Sequence, residues 1–157
     1  MVSVYLALGS NQGDRSLNIS SAIDALSKAF GTPPTAVSDL IETTAQGFSG
    51  PDFLNAAVRY DIPRRRVSAQ EQALDILDVC KSIERSLGRT GDPQYDSDGS
   101  RIYSDRPIDI DILFFGTHVI QTPRLSVPHP RISERDFVKI PLFQIASPRI
   151  RAFSGLS

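Results

Sequence analysis

At the centre of residues 105–116, Asp105-Arg106-Pro107-Ile108-Asp109-Ile110-Asp111-Ile112-Leu113-Phe114-Phe115-Gly116, aspartate alternates with isoleucine. Alternation of β-branched with polar residues marks a strand with two unlike faces, because successive side chains point to opposite sides. Ile108, Ile110 and Ile112 share one face, and Asp109 and Asp111 share the other. The isoleucine face needs an apolar layer packed against it, which points to a sheet covered by helices. On the acid face, two carboxylates about 7 Å apart repel each other, and burying them is costly unless a cation or an arginine compensates. A strand with one wet face accounts for the alternation equally well when spacing alone is considered.

The remaining pattern supplies the helices. Leu17, Ile19, Ala22, Ile23, Leu26, Ala29 and Phe30 recur close to a helical repeat that Gly31 and Pro33-Pro34 stop,. Ala69, Ala73, Leu74, Ile76, Leu77, Cys80, Ile83 and Leu87 define a second helix ending at Gly88,. Val2 to Leu8, Ala36 to Thr43 and Phe53 to Tyr60 read as strands, and Val119-Ile120 as a short hairpin arm,. Ser133 is placed to cap a last helix through about Ala146, kinked or interrupted at Pro141,. Thr90 to Ser100 is almost devoid of apolar residues and reads as a long exposed loop,. The order is βαββαβ(β)α. It predicts an α+β fold, a ferredoxin-like sandwich of mostly antiparallel sheet with helices packed on its face.

A chain of 157 residues, 40% apolar and 22% charged, suits a single domain over 1–157 with a real core,. Seventeen basic and eighteen acidic residues give a formal charge of −1, which argues against a dedicated duplex-binding domain,. The lone Cys80 excludes a disulfide framework within the chain and a Cys-rich zinc site,. No stretch approaches the ~18–20 apolar residues that span a bilayer. Met1 to Leu8 lacks the basic start of a signal peptide,. A soluble, cytoplasmic protein, monomeric or weakly oligomeric, with no membrane or nucleic-acid partner is expected.

Chemistry enters through the company the two aspartates keep. Magnesium prefers oxygen ligands and usually takes one or two protein carboxylates with phosphate oxygens and waters. Arg106 lies three residues before Asp109, Arg89 and Arg101 flank the polar loop, and Arg124, Arg131 and Arg135 surround His129. Any one of these arginines alone reads as a solvated surface residue. Together, beside a carboxylate pair in a chain of near-zero charge, they suit a magnesium-polyphosphate ligand. His129, between two prolines, is placed to donate to phosphate, whereas His118 carries no such reading,. Cys80 falls in an apolar helical stripe and reads as core,. Neither a Walker A nor a Rossmann glycine pattern occurs, and Gly9 to Asp14 is only a weak phosphate-loop signal,.

Asp105 to Leu113 resembles the signature of the 6-hydroxymethyl-7,8-dihydropterin pyrophosphokinase family of folate biosynthesis: an arginine, two residues, then Asp-hydrophobic-Asp-hydrophobic-hydrophobic. The resemblance extends through Leu8-Gly9-Ser10-Asn11, through Asp52-Phe53-Leu54-Asn55-Ala56-Ala57-Val58, similar to the pterin-site strand, and through Val127-Pro128-His129-Pro130-Arg131, similar to the ATP-side loop. It implies transfer of the β,γ-pyrophosphate of ATP to the hydroxymethyl group of the dihydropterin, with release of AMP. Asp109 and Asp111 would hold two Mg²⁺ ions, and Arg89 and Arg106 would contact phosphates. Arg124, His129 and Arg135 would contact ATP, with Glu84 on the nucleotide side. Asn55 would hydrogen-bond the pterin, Phe137 would stack on it and Phe53 would pack near it, and the Thr43–Gly47 loop, Thr44 included, would supply backbone contacts. Read by themselves, Asn55 satisfies neighbouring backbone and both phenylalanines are core.

Three departures from the family pattern stand out. Tyr103-Ser104-Asp105-Arg106 replaces the frequent Trp-Gly-Pro-Arg, Thr90 to Ser100 is longer than in compact bacterial members, and Thr44-Ala45 stands where a proline-containing loop is common. The same carboxylates would serve a metal-dependent nuclease or nucleotidyltransferase. A ferredoxin-like RNA-binding module would need RNP1-like aromatics that Val2 to Leu8 and Asp105 to Phe115 lack,.

Overall fold

The computed structural model of the protein describes residues 1–43, 52–88 and 107–155, and the backbone of 94–95 and 101–102. In chain order the elements are β1 (Val2–Ser10), α1 (Arg15–Phe30), β2 (Ala36–Val37), β3 (Ile41–Thr43), β4 (Phe53–Ile62), α2 (Ala69–Ser86), β5 (Gln94–Tyr95), β6 (Arg101–Ile102), β7 (Asp109–Phe115), β8 (Ile120–Gln121), β9 (Ser126–Val127), α3 (Asp136–Ile145) and α4 (Pro148–Ser154). A 3₁₀ turn, Ile132–Glu134, precedes α3. The α+β class expected from the element pattern is the one observed.

Five strands form the main sheet, in the order β2-β4-β1-β7 with β3 also on β4, and every pairing is antiparallel. α1 begins where Asp14 accepts from the Leu17 amide and ends at Gly31, whose φ of 71° suits glycine,. In α2, Ser68 accepts from the Glu71 amide, the first half of a capping box,. Both helices pack on one face of the sheet over a core that includes Val4, Leu6, Leu8, Val58, Tyr60, Ile108, Ile110, Ile112 and Phe115. The opposite face carries a second core, Tyr5, Leu113, Phe114, Ile132, Val138, Leu142, Ala146 and Ile150, under α3 and α4.

β7 serves both cores through a bulge. Tyr5 pairs with Phe114 and Leu6 with Ile112, so Leu113 is an extra residue,. Upstream of it, even-numbered side chains enter the first core. Beyond it Phe115 enters the first core, while Leu113 and Phe114 both enter the second.

Three local expectations are revised. The extended segment from Ala36 to Thr43 divides into β2 and β3, because the Ser38 hydroxyl accepts from the Ala57 amide at 2.8 Å and interrupts the ladder. The last helix starts at Asp136, not after Ser133, which lies in the 3₁₀ turn, and Pro141 is accommodated inside α3. α4 was not anticipated, although Ser147 and Pro148 are a sound helix start: the Ser147 hydroxyl accepts from the Ile150 amide and Pro148 occupies the first turn,.

Candidate active site

Across the second face, Asp109 lies opposite Gly9 and Asp111 opposite Ala7, while Gly9 and Ala7 in turn lie opposite Asn55 and Ala57 of β4. The centre of this strip is therefore lined by small residues, with Asp109, Asp111 and Asn55 around it. The apolar layer under α3 and α4 meets the same face further along the strands, at Tyr5 and Phe114. The acids begin where that apolar cover ends.

Burial is the chief cause that pushes the Asp111 carboxyl up, to about 7, helped by the neighbouring charges of Asp109 and Glu84, with Lys81 and Arg135 pulling it down,. This local excess of negative charge suits a divalent cation. Among the described residues no group of three or more His, Cys, Asp and Glu side chains forms a ready-made metal cage. Two carboxylates are nonetheless the protein share that magnesium commonly takes, with water and phosphate completing its shell. The residues present fit that ion.

Beside the acids, a cleft of about 270 Å³ opens along β7, lined by Leu77 and Lys81 of α2, by Ile110, Asp111 and Ile112, and by the 123–130 segment. His129 lines it, anchored by its own amide donating to the Leu113 carbonyl at 3.0 Å. The Arg131 amide donates to His129 Nδ1 at 3.2 Å, which leaves the proton of the neutral ring on Nε2,. Burial and the cations Arg135 and Arg131 hold the imidazole below its usual range, against Asp109. Arg124 also lines the cleft and pairs with Asp78 of α2. Arg135 leads into α3 with its guanidinium 5.6 Å from the centroid of the Phe137 ring,.

Asn55 is buried, and its amide nitrogen donates to the Ile41 carbonyl at 3.2 Å and to Thr43 Oγ1 at 2.9 Å. The Ile41 carbonyl can only accept, so the amide orientation is fixed and Oδ1 lies toward Gly9,. A Cβ at Gly9 would also meet Phe53, at 3.6 Å, which puts that ring on the same side. Phe137, partly buried, packs against the second core. Arg15 donates to the Asp52 carbonyl at 2.8 Å and lies 3.5 Å from Glu42, fastening α1 to both β3 and the start of β4.

Of the residues singled out in the sequence, the structure gathers Asp111, His129 and Arg124 around the cleft, with Asp109 and Arg135 close enough to act on both Asp111 and His129. Asn55, Thr43 and Phe53 lie on the same sheet face. Thr44, Gly47, Arg89 and Arg106 lie outside the described residues, as do the Tyr103 departure and most of Thr90–Ser100. Glu84 is buried behind β7, accepting from the Ile110 amide at 2.8 Å and pairing with Lys81 at 3.3 Å. Lys81 was missed. Its i,i+3 spacing to Glu84 on one helix face was the available signal.

An acid pair and a fixed amide on one sheet face, with a neutral histidine at the adjoining cleft, form a site suited to a small charged ligand. The sequence profile of the 7,8-dihydro-6-hydroxymethylpterin-pyrophosphokinase family matches residues 5–147, and the chain belongs to that family. Among its relatives, the 2-amino-4-hydroxy-6-hydroxymethyldihydropteridine pyrophosphokinase of Porphyromonas gingivalis is 42% identical over 148 residues, covering 93% of this chain and 92% of its own. The Bacillus subtilis protein of the same name is 35% identical over 142 residues, or 90% of this chain and 76% of that one. A mitochondrial folate synthesis bifunctional protein of Pisum sativum is 40% identical over 148 residues, which span 94% of this chain and only 26% of that protein.

Proposed function

We propose that this chain, as one domain over 1–157, transfers the β,γ-pyrophosphoryl group of ATP to 6-hydroxymethyl-7,8-dihydropterin, a step of folate biosynthesis. The hydroxymethyl oxygen attacks the β-phosphorus, the bond from that phosphorus to the α,β-bridging oxygen breaks, and AMP leaves as the hydroxyl proton is lost. The observation that carries the reading is the common face on which Asp109, Asp111 and Asn55 meet across three adjacent strands. It joins a place for a charged triphosphate to a place for a heterocycle. No helix of the described residues is long and apolar enough to cross a membrane. A cytoplasmic, monomeric or weakly oligomeric protein acting on two small molecules agrees with this reading. The order β7-β1-β4-β2 with two crossover helices on one face supports a ferredoxin-like core, to which α3 and α4 add a second layer.

Asp109 and Asp111 would hold magnesium, two ions by the family pattern. Bound there, it neutralises triphosphate charge and polarises the phosphoryl oxygens. His129 donates from Nε2 to a phosphate oxygen without adding a full charge. Arg124 and Arg135 supply guanidinium donors at the rim of the cleft, and Glu84 lies on the nucleotide side behind β7. Arg89 and Arg106 serve as further phosphate contacts by family position. Oδ1 of Asn55 accepts from the N–H edge of the pterin, and Phe53 and Phe137 give the ring apolar surface, with Thr43, Thr44 and Gly47 contributing at its edge.

Mass spectrometry of the protein with ATP, magnesium and the hydroxymethyl-dihydropterin tests this. AMP with a pyrophosphorylated pterin is expected. ADP, or unchanged substrates, would sink the reading, and release of pyrophosphate with an adenylylated product would favour a nucleotidyltransferase using the same acids.

A further inference from the structure

Glu84 is only 2% exposed, yet α2 carries it in a stripe otherwise formed largely by Ala73, Ile76, Leu77, Cys80 and Ile83. Burying a carboxylate there is costly unless its oxygens are engaged, and they are. Oε2 accepts from the Ile110 amide at 2.8 Å, and Oε1 lies 3.3 Å from the Lys81 ammonium. β7 pairs with β1 on one side and is the edge of the main sheet on the other. The side chain of Glu84 therefore does for this edge amide what the carbonyl of a neighbouring strand does elsewhere. Ile110 is the residue between Asp109 and Asp111.

We propose that Glu84 is a positioning residue: by anchoring the Ile110 backbone it fixes the separation and direction of the two aspartates. The inference rests on the transferase reading above. Loss of this acceptor would orphan a buried N–H midway between the acids. A charged acceptor makes the shorter and stronger bond to that amide, and Lys81 at the cleft wall offsets its charge,. Partners that orient carboxylate ligands in this way typically affect metal affinity or turnover 10–100-fold.

The test compares wild type, Glu84→Gln and Glu84→Ala for kcat, for half-saturation by magnesium, and for the dissociation constant of a fluorescent ATP analogue without metal. Glutamine keeps an oxygen for the Ile110 amide and loses the charge, whereas alanine loses both. Alanine is expected to lower kcat and weaken magnesium use by about 10–100-fold, with metal-free nucleotide binding changed less than about threefold. Glutamine is expected to rescue turnover to within about threefold of wild type. A glutamine variant as impaired as alanine overturns the positioning role and assigns the carboxylate a direct charge contact. Hydrogen exchange at Ile110 in the wild-type protein is a second reading that survives a misfolded alanine variant. Protection without any ligand supports the anchor, and an amide protected only once magnesium-ATP is bound overturns it. If wild type makes no pterin diphosphate, the transferase reading fails alone, and the exchange measurement still decides the anchor.

Discussion

Gly9 and Asn55 face each other across β1 and β4 so closely that a Cβ on Gly9 would lie 3.3 Å from Asn55 Oδ1. The amide cannot retreat easily, because its nitrogen is committed to Ile41 and Thr43. Gly9→Ala should therefore push Asn55 off its rotamer at a cost of about 1 kcal/mol, raising KM for the pterin about fivefold. KM for ATP is expected to hold. Steady-state kinetics with each substrate varied in turn checks this, and equal changes in both would refute the local explanation.

Asp109→Asn and Asp111→Asn each remove one anionic oxygen donor from the shared face. Pyrophosphoryl transfer at saturating magnesium should fall about a thousandfold in each, while far-UV circular dichroism stays that of wild type. A variant that retains more than a tenth of wild-type turnover would contradict the assigned role.

The same acid pair sets a pH dependence of stability. The folded protein holds a proton on Asp111 more tightly than the unfolded chain does, since its carboxyl is raised from 3.8 to about 7. Without metal, the folded state binds more protons across that window, so this group makes stability fall as pH rises from about 4 to about 7. Asp111→Asn removes the effect. Its Tm should exceed that of metal-free wild type by more at pH 8 than at pH 4.5, and magnesium should narrow the gap by stabilising wild type. A gap independent of pH would show that the raised carboxyl is not the cause.

His129 offers a direct spectroscopic check. Burial, with Arg135 and Arg131 nearby, should make its ring titrate below the usual 6.5, and Nδ1, accepting from the Arg131 amide, leaves the proton on Nε2 at neutral pH. Nitrogen-15 NMR of the imidazole reports both. A midpoint above 6.5 in the ligand-free protein would overturn the neutral-donor role.

Ser147 donates its amide to the Tyr5 hydroxyl at 3.1 Å, tying the start of α4 to the centre of β1. Tyr5→Phe removes the acceptor and leaves a partly buried N–H unmet, a loss of about 1 kcal/mol in chemical denaturation. Turnover should be unaffected, because Tyr5 lies at the covered end of the face. A fall in kcat without a fall in stability would contradict this.

The main sheet and the two long helices could be read from the chain because each rests on a strong period: alternation in 108–112, and apolar spacings of three and four in α1 and α2. The shared face of Asp109 and Asp111 followed from the same alternation. The bulge at Leu113 was hidden, since four successive apolar residues carry no alternation to break. The division of β2 from β3 was equally hidden, because it depends on a serine hydroxyl meeting an amide 19 residues away. α3 has an uncapped start, which a search for Ser or Asp caps misses, whereas Ser147-Pro148 was a legible start that was overlooked. The contact of Glu84 with Ile110 spans 26 residues, and nothing local announces it.

Leu113 divides β7 into an upstream half that carries the acids and a downstream half that carries the aromatic rings. Regular alternation would carry Asp111 and Phe115 on one side of the sheet, and the extra residue sends them to opposite sides,. A single ribbon thereby meets two unlike surroundings, charged at its head and oily on both flanks at its tail, without a second segment of chain being recruited for the task.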